Sequence, residues 1–442
     1  MLNKDEFYNL IDKVLAKSKY FTAINVFYKE TGLTRFANSE IHQNVYTSDY
    51  DIKITVINDK KIAKVSTNIM DEEALFQALR EAEENLEFLP KGDYEYKFAK
   101  TPDFIEYEDE YINSQYNLGI KDRADILVQC INSLEENYKA AGILSRTVEK
   151  IALGTTEGIK RFLSKNSEEL EVVVMHRDGS SGYAHISSLN PKEFDVKSGF
   201  HKAYNKAKLA LNPITLEPGT YDVILEPEAV FEFVMMCGYM ALNQDSIKAG
   251  SCFLDGKKGK QIMNEKITIK DDYKDKDSYM MPFDFEGYER KTVTLIEKGI
   301  FKNVVNNSKL AELYNEELTG HSLGYGNGSI PLNMVVDGGQ KTLDEIVKST
   351  KKALLITRFH YINVVDYRES LLTGLTRDGV FIIENGEIKE AVKNMRFTEG
   401  ILNAFNNVEE ISSNREKIQG FFGHMVIPAM KIKDFHFTGK TE

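Results

Sequence analysis

Three stretches of the chain alternate apolar and polar residues on both sides of a short turn. They are DIKITVINDKKIAKVST (51–67), TVTLIEKGIFKNV (292–304) and GVFIIENGEIKEAV (379–392). Alternation with a period of two around a Lys-Gly, Asn-Gly or Asn-Asp-Lys turn predicts two antiparallel strands, because such turns match the twist of a hairpin. Since these stretches lie in both halves of the chain, each half is expected to contain antiparallel sheet.

The first half also contains helical patterns, so we expect an N-terminal α+β domain over residues 1–213. Helices are predicted over residues 5–15, over DEEALFQALREAEENL with Asp71 as its N-cap, and near residues 120–140 and 192–210. Further strands are predicted at residues 24–28, 33–38, 144–153 and 170–176. Pro213 follows Asn212 and is expected to end the last helix.

The second half is predicted to be a mainly β domain over residues 214–442, with helices at 227–243 and about 342–350. A chain of 442 residues is too long for a single ordinary core, which agrees with two domains.

Charge and cysteine content limit the function classes. The net charge of −12 argues against broad binding to nucleic acid or to anionic membranes. No apolar run approaches the roughly 20 residues that span a bilayer, and the N-terminus lacks the apolar segment of a signal peptide. The three cysteines, an odd number without metal-type spacing, are typical of reduced thiols. We therefore expect a cytoplasmic protein with no membrane partner and no direct nucleic-acid binding.

The stretch PEAVFEFVMMCGYMALN (227–243) follows the β-rich run Tyr221–Leu225 and is predicted to be an apolar, buried helix. Its methionines admit two interpretations. They pack in the core, or they line a cavity that receives apolar groups, since methionine adapts to varied partners.

Several motifs, in order along the chain, resemble those of the TldD/PmbA family, also called the modulator-of-DNA-gyrase or TldD/TldE family. The matching segments are TRFANSEIHQ (34–43), LEPGTYDVILEP (216–227), PFDFEG (282–287), TGH (319–321), IENGEI (383–388) and FHFTG (435–439). The third resembles the family pattern PFDDEG through Pro282, Phe283, Asp284, Glu286 and Gly287. Each motif is short, and their order and spacing over most of the chain carry the resemblance.

The resemblance implies an α+β fold: an N-terminal α+β domain followed by a mainly β domain with an extended, curved or barrel-like antiparallel sheet. It also implies a dimer that encloses a cavity. Active members carry a zinc-binding His-Glu-x-x-x-His helix, and a gap-free match places Met235, Met236 and Met240 at the His, Glu and His positions. The chain therefore resembles the TldE/PmbA-like arm, which lacks the motif and partners an active TldD-like subunit. No metal site and no cofactor are expected here, and zinc is expected only in the partner.

A polar segment, RFHYINVVDYRESLLTGLTRD (358–378), differs from the family sequence, which is less charged and richer in glycine there. If its strands face a cavity, Arg358 or Arg377 is placed to bind a peptide carboxylate, with His360 and Asp366 beside them. The other interpretation is a set of strand-edge charges paired in solvent. No two histidines lie three to five residues apart, so the sequence has no local metal motif. A metal site assembled from distant residues, such as His321, His360 and Asp366, is a further alternative.

The sequence leaves three candidate functions for this protein. The first is a TldE/PmbA-like subunit that holds unfolded or short peptides for a zinc-bearing, TldD-like paralogue. The second is a self-sufficient hydrolase with a non-standard site around His360. The third is a non-catalytic, homodimeric peptide-binding protein.

Overall fold

The structure of the protein is a computed structural model that describes residues 2–98, 104–112, 118–250, 252–420 and 423–440. In the first half the elements are, in chain order, α1 (Lys4–Leu15), β1 (Phe21–Ala37), β2 (Glu40–Asn58), β3 (Lys61–Thr67), α2 (Glu72–Phe88), β4 (Phe104–Glu108), α3 (Ile120–Asn132), β5 (Tyr138–Thr155), β6 (Lys160–His176), β7 (Ser181–Ser188) and α4 (Val196–Leu209).

The strands of this half form one sheet in the order β3-β2-β1-β5-β6-β4, and β7 also pairs with β6. All neighbours are antiparallel except β4 and β6. Helices α1 and α2 pack on one end of the long strands, around Ile24 and Ile54. Helices α3 and α4 pack on the other end, around Leu144 and Leu170. The sheet therefore has a separate apolar cluster beneath each helix pair.

In the second half the elements are β8 (Gly219–Leu225), α5 (Pro227–Ala241), α6 (Gln244–Ala249), β9 (Ile269–Asp271), β10 (Val293–Glu297), β11 (Ile300–Phe301), α7 (Ser308–Leu313), β12 (Met334–Val336), α8 (Leu343–Ser349), β13 (Lys352–Asp366), β14 (Leu371–Glu384), β15 (Glu387–Ala391), β16 (Met395–Gly400), α9 (Ile401–Asn406), β17 (Val408–Gly420) and β18 (Gly423–Lys440).

The second sheet is partly ring-like. Its order is β11-β10-β9-β12-β18-β16-β14-β13-β8, and β8 also pairs with β18, so the strands from β18 to β8 close on themselves. Helix α5 packs against this ring: the buried Phe233 ring lies within about 6 Å, centroid to centroid, of Phe359, Phe397 and Phe435 on three of its strands. The main core of the protein thus forms between α5 and the ring.

The α+β fold class and the three hairpins are confirmed. The turns Asp59-Lys60, Lys298-Gly299 and Asn385-Gly386 all have positive φ at both residues, which is the type I′ geometry. The C-terminal sheet is mixed rather than wholly antiparallel, because β8 pairs with β13, and β12 with β18, in parallel. Long connections join these pairs in sequence, so the hairpin pattern carries no information about their direction.

Helix and strand bounds differ from the sequence expectation at several places. The two strands expected at 24–28 and 33–38 are one strand, β1, which continues through Gly32. The helix expected at 120–140 ends at Asn132, and the one expected from 192 begins at Val196 with Asp195 as its cap. Asp71 does cap α2, accepting a hydrogen bond from the Ala74 N–H.

The boundary between the domains 1–213 and 214–442 stays a prediction. Among the helices of the described ranges, none is long and apolar enough to cross a membrane.

Candidate functional site

Helix α5 presents two different faces. Its N-terminus is fixed to the ring by the Glu226 N–H, which donates to the Ile356 carbonyl, and Pro227 occupies the first turn. One face is buried in the main core. The other is only partly buried and consists, at helical spacing, of Glu228, Glu232, Met235, Met236 and Tyr239. The helix is therefore a core helix with a second, partly buried face, and the interpretation that its methionines receive apolar groups in a cavity stays a prediction.

The positions that match the family's zinc residues do not fit a zinc site. Met235 and Met236 lie on the partly buried face and pack against the main core, whereas Met240 is buried. Thioethers are poor ligands for Zn²⁺, which is bound by thiolate, imidazole and carboxylate groups. Cys237 is the one thiol on this helix and lies buried among apolar residues, and burial raises the pKa of this thiol to about 12. In the part of the chain that the structure describes, no three His, Cys, Asp or Glu side chains are arranged to hold a metal ion.

The alternative metal set is not brought together. His321 is buried and its ring nitrogens lie 2.9 Å from the Thr319 carbonyl and 3.0 Å from Asp271 Oδ1. Asp366 instead accepts hydrogen bonds from the backbone N–H groups of Arg368 and Glu369, which shape the turn after β13. Each residue thus has a local structural role.

The polar segment forms the extension of β13 and its partner β14. Arg358 donates from Nε to Asp378 Oδ2 at 2.8 Å, and its guanidinium lies 4.0 Å from the Tyr183 ring centroid. Arg377, directly opposite Arg358 in the strand register, is more exposed, with Nε 3.8 Å from the same carboxylate. Burial, together with these two arginines, lowers the pKa of His360, which is therefore a neutral imidazole near pH 7. Three of the four predicted peptide-binding residues are neighbours, and their binding role stays a prediction.

A charged bridge beside α5 was missed by sequence reasoning. The His185 ring on β7 lies between two carboxylates, 2.7 Å from Glu228 on α5 and 3.0 Å from Glu169 on β6. Burial alone would lower the pKa of His185, but the Glu228 and Glu169 carboxylates outweigh it and raise the pKa to about 10. Burial and the neighbouring Glu228 raise the pKa of Glu232 to about 7. The histidine bridge thus ties α5 to the first sheet, and no local sequence pattern signals it.

Three cavities adjoin one another: residues of both halves of the chain line the first and the third, whereas residues of the second half alone line the second. The first, of about 470 Å³, is lined among others by Tyr28, Glu149, Lys165, Tyr279 and His424. The second, of about 650 Å³, is lined by residues that include Tyr239, Met240, Ile330, Leu332 and Tyr367. The third, of about 810 Å³, is lined by residues that include Asp51, Lys53, Lys64 and Tyr325.

Phe285 lines all three cavities, and each pair of cavities shares further residues. The first and second share Leu332, the second and third share Leu323, and the first and third share Phe27. The three cavities therefore adjoin one another around Phe285, and we call them together the branched cavity and each of them an arm. The branched cavity includes Tyr239 and Met240 at the end of α5, but not the predicted residues Arg358, His360, Asp366 and Arg377.

The PFDFEG turn fixes the Phe285 ring at this junction. The buried Asp284 carboxylate accepts hydrogen bonds from the N–H groups of Glu286, Tyr288 and Ser322, which closes the turn. Asn25 on β1 donates to the Phe285 carbonyl at 3.3 Å. The Phe285 ring meets the Phe27 ring edge-on, with centroids 5.0 Å apart. Both the turn and the first sheet therefore hold the ring in place.

Comparison with known families agrees with this architecture. Residues 218–439 match the PmbA/TldA metallopeptidase C-terminal domain, and residues 26–86 match the PmbA/TldA metallopeptidase domain 1. The chain belongs to the TldD/PmbA metallopeptidase family. The fold is similar to the crystal structure of TldE from Thermococcus kodakarensis, with a TM-score of 0.86 at 19% identity over 98% of this chain and 99% of that chain.

Relatives with a metalloprotease description match this TldD/PmbA family chain at low identity. A zinc metalloprotease TldD homolog from Saccharolobus solfataricus is 22% identical over 85% of this chain and 83% of its own length. A metalloprotease from Methanothermobacter thermautotrophicus is 24% identical over 55% of this chain and 53% of its own length. The chain thus spans about half the length of that relative and of one from Methanocaldococcus jannaschii.

Proposed function

We propose that this protein is a TldE/PmbA-like, zinc-free subunit of a TldD/TldE-type metallopeptidase system. It binds unfolded or short peptides in the branched cavity, and a zinc-bearing, TldD-like paralogue cuts them. The observation that carries the proposal is that Met235, Met236 and Met240, which the resemblance matches to the zinc motif, lie on a helix that borders the cavity. A subunit without the zinc-binding groups of that helix lacks a Lewis acid there and retains a use in holding substrate.

The volumes and walls of the cavity support peptide as the ligand. Each arm lies in the range of about 300–1,000 Å³ that is typical of ligand sites. The walls combine aromatic rings with a few ion pairs, such as Lys165–Glu149 at 3.0 Å. Aromatic surface together with scattered polar groups suits a chain of amides with mixed side chains. Arg377, the more exposed of the two facing arginines, does not line these cavities, and we propose that it binds the carboxylate of a peptide segment that extends beyond them.

The partner and location belong to the same proposal. We expect a cytoplasmic complex with the paralogue, without a cofactor in this chain and without nucleic-acid or membrane partners. The test is to purify the chain alone, the paralogue alone and the two co-expressed, and to measure zinc by elemental analysis and cleavage of an unfolded protein. Zinc and chelator-sensitive cleavage in the co-expressed pair, greater than in the paralogue alone, is the expected result.

Two other results would overturn this assignment. Stoichiometric zinc with chelator-sensitive cleavage by the chain alone would identify a self-sufficient metallopeptidase. A stable homodimer that binds peptide and ignores the paralogue would identify a non-catalytic binding protein. Cleavage by the chain alone that is lost in His360→Ala and kept in the exposed-histidine control His201→Ala would identify the hydrolase around His360.

A further inference from the structure

The three arms of the branched cavity differ in character. The first and third contain charged side chains, among them Lys29, Glu149, Asp51 and Lys64. The second is walled mainly by apolar and aromatic residues, namely Tyr239, Met240, Ala249, Cys252, Phe285, Leu323, Ile330, Leu332 and Tyr367. We name it the apolar arm. A difference of this kind between arms sorts the parts of a ligand by polarity.

Several polar groups of the apolar arm are bonded within the protein. The Asp245 carboxylate accepts hydrogen bonds from Ser329 N–H at 2.8 Å and Ser329 Oγ at 2.9 Å. The Asn243 amide donates to the Gly238 and Tyr239 carbonyls, and its oxygen accepts from the Ser246 N–H. A polar ligand group that enters this arm would lose water without gaining these partners, whereas an apolar group loses nothing by entering.

Three cavities around one shared residue, Phe285, correspond to the three directions in which an extended peptide continues from one of its residues. The main chain leaves that residue in two directions and the side chain in a third. The two arms with charged walls suit the amide backbone and its flanking side chains, and the apolar arm suits a single apolar side chain. Because Phe285 lies where the arms meet, its ring would contact the residue whose side chain enters the apolar arm.

We infer that the apolar arm is a side-chain pocket that selects peptides with a large apolar residue, and that Phe285 is the specificity-determining residue at its entrance. The inference rests on the proposed peptide-binding function. The wall of the pocket includes Met240, which occupies the position of the second zinc histidine. The helix position that would hold metal in an active relative here binds substrate.

The test measures binding of labelled nine-residue peptides to the full-length protein, alone and with its paralogue, by fluorescence anisotropy. The peptides are Gly/Ser chains that differ only at the central residue, which is Phe, Ser or Asp. The wild type is expected to bind the Phe peptide about tenfold or more tightly than the Ser peptide, as burial of one large apolar side chain predicts. Phe285→Asp is expected to remove that preference.

Two further variants keep the result interpretable. Leu323→Asp alters an exposed loop position on the same pocket and is expected to weaken the preference without disturbing the core. Phe88→Asp makes the same chemical change at a residue that is 85% exposed on α2 and is expected to leave binding unchanged. Unfolding midpoints of all variants establish that each is folded, and if Phe285→Asp is not, Leu323→Asp carries the test.

The possible outcomes distinguish a failure of the apolar pocket from a failure of the proposed peptide-binding function. Equal affinity of the wild type for all three peptides would overturn the apolar pocket and leave peptide binding intact. A preference that survives both Phe285→Asp and Leu323→Asp would overturn the assignment to this arm. Failure of every peptide to bind, with and without the paralogue, would overturn the proposed function and the inference together.

Discussion

At the scale of single residues, His185 provides a pH-dependent link between the two halves of the chain. Its pKa of about 10 in the folded protein lies above the ordinary value of 6.5. Because this pKa is higher in the folded than in the unfolded chain, the protonated His185 stabilises the fold. The stabilisation is fully present below pH 6.5 and is lost as the pH rises through 10. We expect His185→Gln to lower the free energy of unfolding by roughly 3 kcal/mol at pH 6, because it leaves two carboxylates without their cation, and by much less at pH 10.5.

Urea denaturation at the two pH values measures this difference. His201→Gln is the matched control, since His201 is exposed on α4 and bonds only to Asn205. A loss of stability in His185→Gln that is the same at pH 6 and pH 10.5 would contradict a charged His185.

Replacement of the buried Arg290 is also expected to lower the free energy of unfolding, for a different reason. Its guanidinium bonds to Asp271 and to Asn333 Oδ1, the latter at 2.6 Å, and holds the pKa of Asp271 well below the ordinary value against the effect of burial. Arg290→Leu removes the cation from the buried Asp271 carboxylate and leaves it with the His321 ring and the Asn333 N–H, so we expect a loss of roughly 3 kcal/mol. Asp271→Leu in the same chain should restore part of that loss. A double-mutant cycle measured by chemical denaturation tests the pair, and strictly additive losses would show that the two groups are not coupled.

At the scale of elements, α5 is expected to resist conversion into a metal site. The variant Met235→His, Met236→Glu, Met240→His would restore the family pattern. Because Met240 is 2% exposed among apolar neighbours, an imidazole there buries a polar group at a cost of about 1–3 kcal/mol. Two histidines also lack the third ligand that zinc requires. We therefore expect a less stable protein without stoichiometric zinc, measured by elemental analysis after dialysis.

The double variant Met235→His, Met236→Glu is the control, since both positions lie on the partly buried face and should tolerate the change. Stoichiometric zinc in the triple variant would show that a third ligand lies within reach of α5, and the assignment as a zinc-free subunit would lose its main support.

The elements also show what the sequence could and could not predict. Turns such as Asn385-Gly386 and the cap Asp71 act over a few residues, so the hairpins and helix starts were predictable. The apolar character of α5 and the motif order predicted its burial and the family. The parallel pairing of β8 with β13 and the bridge at His185 join residues far apart in sequence, and no local pattern encodes them. Phe285 stood inside a recognised motif, but its role depends on three cavity arms that only the folded chain brings together.

At the scale of the whole molecule, the two halves share apolar clusters in addition to their own cores. Phe283, fully buried in the PFDFEG turn, packs in one cluster with Ile151 and Leu163 of the first sheet. Arg161 on β6 donates to the Gly287 carbonyl of the same turn at 2.9 Å. This turn therefore fastens the second half to the first, and it also positions Phe285 at the cavity junction. We expect the two halves to unfold together because of it.

Phe283→Ala tests that coupling. Removing a buried ring lowers the free energy of unfolding by roughly 3–5 kcal/mol. At this position we expect the variant to weaken the contact between the halves. One calorimetric transition should therefore become two. Phe405→Ala removes a ring that is equally buried but belongs only to the main core around α5. It should destabilise the protein by a similar amount while keeping a single transition. If both variants unfold in one step, the turn does not couple the halves, and the branched cavity between them needs another source of rigidity to hold its shape for a peptide.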